Sequence, residues 1–169
     1  IPDLFWWSNE TISQNSQTGR TPGLYPLYLS FQNFMDGIPL SNGQFRDARA
    51  QTSNPLLRAW GQRDDANGQA FLWIQNRAHT WQAAVEGSAV PPLSGQVTLP
   101  EMPPGTYRIT WWDTYNPANP ILKTETASPS GGALTLVLPA PLTADIAVKI
   151  ARQCFFSPAI YPFVDIKCN

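Results

Sequence analysis

Alternation in the run Gly105-Thr106-Tyr107-Arg108-Ile109-Thr110-Trp111-Trp112-Asp113-Thr114-Tyr115 puts Tyr107, Ile109 and Trp111 on one face of a strand, with Trp112 pointing the other way. One of these neighbouring indoles is therefore core. The other is a flat apolar surface that is either covered by protein or kept for a partner. The same period of two recurs along the chain. Leu134, Leu136 and Leu138 alternate with Thr135 and Val137, and Ile146, Val148 and Ile150 alternate with Ala147 and Lys149. In residues 70–77, Phe71, Trp73 and Gln75 share one face and Leu72, Ile74 and Asn76 the other. A strand beginning at Leu56 turns at Asp64-Asp65-Ala66-Asn67-Gly68 into this segment, which predicts a hairpin. Further strands are predicted at residues 95–99, 107–112, 121–126, 133–138 and 145–150.

Before residue 40 the pattern differs. Positions 27, 28, 31, 34 and 35 are apolar at helical spacing, and Gly37 and Pro39 end the run, so the sequence predicts a helix from about Tyr25 to Met35. Residues 1–12 read as a buried strand emerging into a loop, 13–22 as an exposed loop, and 41–54 as a polar connector. The expected organisation is a strand-loop-helix segment over 1–40, followed over 41–169 by an all-β, antiparallel two-sheet sandwich of immunoglobulin-like type.

Composition narrows the function. Charged residues make up 14% of the 169 positions, against about 25% in a typical domain, so Ser, Thr, Asn, Gln and backbone carry the surface. Such a surface suits an extracellular protein that meets neutral polymers. A net charge of -1, with no Lys/Arg run, excludes a nucleic-acid footprint. No apolar run reaches the roughly 18 residues of a membrane span. The chain opens Ile1-Pro2-Asp3 without a starting Met, and is expected to be processed or excised. Cys154 and Cys168 are expected to form a disulfide that pins the C-terminal tail of an exported protein, worth about 3 kcal/mol. Asn9-Glu10-Thr11 matches the glycosylation sequon, which in a chain rich in asparagine decides nothing by itself.

Taken together, Arg58-Ala59-Trp60-Gly61, Ala70-Phe71-Leu72-Trp73-Ile74-Gln75-Asn76-Arg77 with His79-Thr80-Trp81, Pro104 to Thr114, Leu134 to Pro139 and Asp145 to Ile150 form a recognisable series. Over roughly residues 55–151 it resembles the C-terminal β-sandwich that follows the catalytic barrel in cellulase-like (β/α)8 glycoside hydrolases. Leu4-Phe5-Trp6-Trp7 and then Tyr25 to Met35 look like the last β/α unit of such a barrel. One unit closes no barrel, so the resemblance implies the tail of a longer polypeptide, or a protein in which that unit is reused.

Glycoside hydrolysis needs two carboxylates about 5 to 10 Å apart. Glu10, Glu86, Glu101 and Glu125 are scattered, and only Glu10 stands beside a plausible sugar platform, Trp6-Trp7. No catalytic residue is assigned. His79 is the sole histidine, in a turn without a Gly-x-Ser-x-Gly elbow, and reads as a local hydrogen-bonding residue. Asp64, Asp65 and Asn67 offer oxygens for Ca²⁺, but the pattern lacks a closing glutamate and reads as a hairpin turn. Neither metal nor cofactor is expected.

The aromatics remain: Trp60, Trp73, Trp81, Trp111, Trp112 and Tyr115, with Arg77, Asp113, Asn116 and Asn119 near enough in sequence to bond sugar hydroxyls. The core claims most of them. Trp112 and Trp81 are the preferred carbohydrate platforms, with Asp113, Tyr115, Trp6 and Trp7 as further contacts. The leading expectation is a secreted, non-catalytic accessory module that stabilises a catalytic domain and touches polysaccharide. Two others compete: a homo-oligomeric extracellular structural or adhesive subunit in which the aromatic segment 1–12 inserts into a neighbouring copy as a strand, and part of a glycosidase completed by another chain.

Overall fold

The computed structural model of the protein describes residues 25–153. The expected N-terminal strand, the sequon at Asn9, Trp6, Trp7, Glu10 and the Cys154–Cys168 disulfide lie outside the described residues. The expected boundary at residue 40 is drawn from sequence alone. A helix, α1 (Tyr25–Met35), comes first and ends at Gly37, whose φ of 73° only glycine adopts cheaply. A short 3₁₀ turn, Leu40–Asn42, leads into nine strands. They are β1 (Arg46–Asp47), β2 (Gln51–Thr52), β3 (Leu57–Asp64), β4 (Gln69–Asn76), β5 (Gln96–Leu99), β6 (Tyr107–Asp113), β7 (Ile121–Ala127), β8 (Leu134–Val137) and β9 (Asp145–Arg152). A second helix, α2 (Trp81–Glu86), separates β4 from β5.

Two antiparallel sheets face each other. The larger has the order β1-β3-β4-β9-β6-β7 and the smaller β2-β5-β8. Every pairing is antiparallel, so the expected two-sheet sandwich is the fold. Between the sheets lie Leu72, Ile74, Ile109, Trp111, Val148 and Ile150 from the large sheet against Val97, Leu99, Leu134 and Leu136 from the small one. Burying each such side chain stabilises the fold by about 1.5–3 kcal/mol.

The alternation read from the sequence decides which residues these are. Trp111 and Tyr107 are fully buried; the indole Nε1 of Trp111 donates to Glu125 Oε1 (2.8 Å), and the Tyr107 hydroxyl donates to the Pro103 carbonyl (2.8 Å). In β4 the inner face ends in Asn76, whose Nδ2 donates to the carbonyls of Pro91 and Leu142. That satisfies a polar side chain that burial would otherwise leave costly.

Three elements were not expected. β1 and β2 are two-residue strands within the polar connector, and α2 follows a strand that was predicted to end in a turn. Thr80 caps α2 by accepting from the Ala83 N–H, and Gly87 closes it at φ 65°. The short β1 and the charged pair Lys123–Glu125 on β7 sit at the two edges of the large sheet, where unpaired backbone invites association.

Candidate functional site

The outer face of the large sheet is apolar too. Register places Trp60, Trp73, Ala147, Trp112 and Ile121 in one row across β3, β4, β9, β6 and β7. The adjacent row holds Gln62, Phe71, Lys149, Thr110 and Thr124. Helix α1 lies on these rows. Its Phe34, 3% exposed, packs edge-on with Phe71, Trp73 and Trp112 at centroid separations of 6.3, 6.0 and 5.8 Å. Phe31 lies 6.4 Å from Trp73, and Phe45 lies 5.8 Å from Phe71. The Ala147 position is fully buried under this layer.

Lys149 joins the helix to the sheet. Its Nζ donates to the Asp36 carbonyl (2.8 Å) and lies 4.6 Å from the Trp112 ring centroid and 5.4 Å from that of Phe34. Burial holds its pKa below the ordinary lysine value, and the Asp36 charge opposes that shift.

At the far end of the sheet, Asp145 gathers three groups. Its Oδ2 accepts from Trp73 Nε1 (2.7 Å), its Oδ1 accepts from the Tyr115 hydroxyl, and its carbonyl accepts from Thr114 Oγ1 (3.1 Å). Partial burial of the Tyr115 phenol, its bond to Asp145 and the charges of Asp145 and Asp113 all raise its pKa.

The structure separates the residues singled out in the sequence. Trp112 is half-buried beneath Phe34. Trp81 begins α2 and is 80% exposed, away from any strand. Tyr115 is 59% exposed, and its N–H donates to Asp113 Oδ1 (2.8 Å), so these two form one local unit. Arg77 Nη1 donates to the Pro55 carbonyl (3.3 Å), and Asn116 Oδ1 accepts from the Asn119 N–H (3.1 Å).

Sequence reasoning did not prefer Trp60, 46% exposed beside Phe31, and passed over the outward residues Arg108, Thr110 and Lys149. The signal was present: Trp60 shares parity with Arg58 and Gln62, and Lys149 sits opposite in parity to Ile146, Val148 and Ile150.

Among the described residues, two of the cavities at the end of α1 open onto the outer sheet face. One of about 520 Å³ opens between the loop after the helix and β7, and includes Phe71, Arg108, Thr110, Trp112, Thr124 and Lys149. An apolar one of about 260 Å³ lies between Phe31, Met35, Trp60 and Trp73.

The acidic side chains described are largely engaged with neighbours. Asp64 is fully buried; burial raises its pKa, but bonds from Asn67 and Asn42 outweigh this and hold it below the ordinary carboxylate value. Asp65 pairs with Arg46 and with the fully buried Arg63, whose Nη1 donates to the Pro100 carbonyl. Glu101 pairs with Arg49, and Glu86 accepts from Gln82 Nε2 (2.8 Å). Glu125 is likewise lowered, burial being outweighed by Lys123 and Trp111. Among the described residues no group of three or more His, Cys, Asp or Glu is placed to hold a metal ion, and no helix is long and apolar enough to cross a membrane.

No family model matches the chain, and no curated protein matches it. Among solved structures, the bifunctional glucanase-xylanase CelM2 from a metagenome library is weakly similar, with a TM-score of 0.35 and 16% identity over 60% of this chain and 17% of that one. A second structure, described as a glycoside hydrolase, has a TM-score of 0.44 and 10% identity over 82% of this chain and 27% of that one. The chain thus spans under a third of the length of either protein.

Proposed function

We propose that this chain is a non-catalytic accessory β-sandwich module of a secreted glycoside hydrolase, stabilising the catalytic part and touching carbohydrate through exposed aromatics. The observation that carries this reading is the seating of α1, through Phe31 and Phe34, on the aromatic row of the outer sheet face. The helix precedes the sandwich in the chain, and its docking makes this face a surface for elements outside the two sheets. The sequence series over residues 55–151 supports the same reading. The carboxylates tied to neighbouring side chains favour a supporting role over a catalytic one.

The test is affinity electrophoresis of the chain in soluble β-glucan, xylan and mannan, with Trp81→Ala and Trp60→Ala beside the wild type, and a reducing-sugar assay in parallel. Retardation by one polymer that either variant weakens, without sugar release, is the expected result. Sugar release by the chain alone overturns the non-catalytic assignment, and no retardation overturns the carbohydrate contact.

Assembly by strand insertion is the second reading. It is favoured by Ile121 and Leu122, 58% and 52% exposed on the edge strand β7. A discrete oligomer in sedimentation equilibrium, lost on Leu122→Lys, would establish it.

A further inference from the structure

The cavity of about 520 Å³ on the outer sheet face is rich in donors. Its volume falls within the range of small-molecule sites, roughly 300–1,000 Å³. Two cations line it, Arg108 and Lys149, and no acidic side chain does. Register explains why both reach one point. Arg108 pairs with Ala151 and Thr110 with Lys149, so Arg108 and Lys149 are diagonal neighbours on adjacent strands, about 7–8 Å apart at the backbone. The small side chain of Ala151 leaves the space between them open.

Three groups here have unmet capacity among the described residues. Arg108 makes no ion pair. Lys149 makes none either, its hydrogen bond going to the uncharged Asp36 carbonyl. Trp112 Nε1 is buried and has no hydrogen-bond partner. A buried N–H left so is rare and asks for an acceptor. Burial also keeps the Lys149 ammonium below its usual pKa, a cost that a neighbouring anion relieves, with Asp36 the one carboxylate acting on it.

The rest of the lining is of another kind. Thr110 and Thr124 offer hydroxyls that both donate and accept, side by side on β6 and β7, while Phe71 and Trp112 offer apolar surface. A simple inorganic anion uses the cations and a hydroxyl donor but leaves the apolar surface idle. A neutral sugar uses the hydroxyls and rings and leaves both cations without a counter-charge.

We propose that this cavity binds a hexuronic acid residue, with its carboxylate between Arg108 and Lys149 and its hydroxyls on Thr110, Thr124 and the Trp112 indole N–H. The proposal rests on the carbohydrate-contact part of the reading above and narrows it to acidic sugars at a site distinct from Trp81.

The test is titration of the ¹⁵N-labelled chain with sodium D-glucuronate, sodium D-galacturonate, D-glucose and sodium acetate, following the Trp112 indole N–H resonance. Either uronate is expected to shift that resonance saturably, with glucose and acetate each at least about tenfold weaker. Arg108→Gln is expected to weaken uronate binding about tenfold or more while the unfolding midpoint stays unchanged, since Arg108 is exposed. Lys149→Met should do the same, and the exposed-residue variant keeps the test sound if that one loosens the helix.

Glucose binding as tightly as uronate overturns the charge assignment, and acetate doing so shows a bare anion hole. No shift at the Trp112 indole, or full affinity in Arg108→Gln, overturns the site. In each case the neutral-polymer retardation and its loss in Trp81→Ala are read separately. Failure here with retardation intact removes the cavity proposal alone.

Discussion

Phe34 meets Trp112 edge to face, with 5.8 Å between centroids and 81° between planes, so the indole that alternation turned away from the core is covered by a helix from the other end of the described chain. Phe34→Ala removes the ring shared by Phe71, Trp73 and Trp112. It is expected to cost about 3–5 kcal/mol if the helix and sandwich unfold as one unit. Urea unfolding followed by tryptophan fluorescence reads this. A loss below about 1 kcal/mol would show that α1 is only loosely held.

Acid should weaken the protein through Asp64. Its carboxyl accepts from Asn67 N (3.0 Å), Asn67 Nδ2 (2.7 Å) and Asn42 Nδ2 (2.8 Å), and its pKa is lowered from 3.8 in the folded state. The unfolded chain therefore binds this proton first. The stabilisation is present above about pH 3.8 and is lost as pH falls through the folded-state value. Asp64→Asn should lower the unfolding free energy at pH 7 by about 1.5–3 kcal/mol and lie closer to wild type near pH 2. An equal deficit at both pH values would place the loss in packing instead.

Much of the sandwich was legible because its inner faces obey a period of two. Leu134 and Leu136 are buried while Val137 is 58% exposed, as their alternation required. Strand β4 was harder, since Phe71 and Trp73 on one face and Leu72 and Ile74 on the other are all apolar. Alternation alone does not say which set meets the small sheet. Tertiary packing decides it: the flat rings lie under α1 and the branched chains fill the space between sheets. The pairing of Arg46 and Asp47 with β3, and of Gln51 and Thr52 with β5, depends on backbone groups at sheet edges and leaves no side-chain signature. Helix α2 did leave one, in Thr80 and Gly87, hidden by its brevity. The exposed indole of Trp60 differs from that of Trp112 in what lies opposite it in space, which no local pattern encodes.

Tyr115 should titrate late. Partial burial, its bond to Asp145 and the nearby Asp113 charge disfavour the phenolate, so its pKa lies above 10.0. Asp145→Asn removes the acceptor's charge and should lower the phenol's pKa part of the way, burial keeping it above the ordinary tyrosine value. The tyrosine ring-carbon resonance that vanishes in Tyr115→Phe follows this during an alkaline titration. An unchanged titration in Asp145→Asn would mean that burial alone sets the shift.

Gly61 of β3, opposite Leu72 of β4, has no room for a side chain. A Cβ added there would run into the Phe71 carbonyl oxygen and lie 2.8 Å from the Leu72 Cα, so Gly61→Ala forces β3 away from β4. The same residue's carbonyl accepts from the Ala48 N–H (3.1 Å), so the displacement reaches β1 as well. The cost should reach about 3 kcal/mol, the upper part of the usual range for overpacking, because the obstruction is backbone and has no rotamer to yield. Gly87→Ala is the comparison. Its φ of 65° penalises alanine, but a Cβ added there meets nothing within 4 Å. A cost nearer 1 kcal/mol is expected there. Equilibrium unfolding of both variants should rank Gly61→Ala as the more damaging, with tryptophan fluorescence altered in the folded state because Trp60 and Trp73 are register partners on the same pair of strands. The reverse ranking would mean that β3 and β4 separate more easily than their register implies.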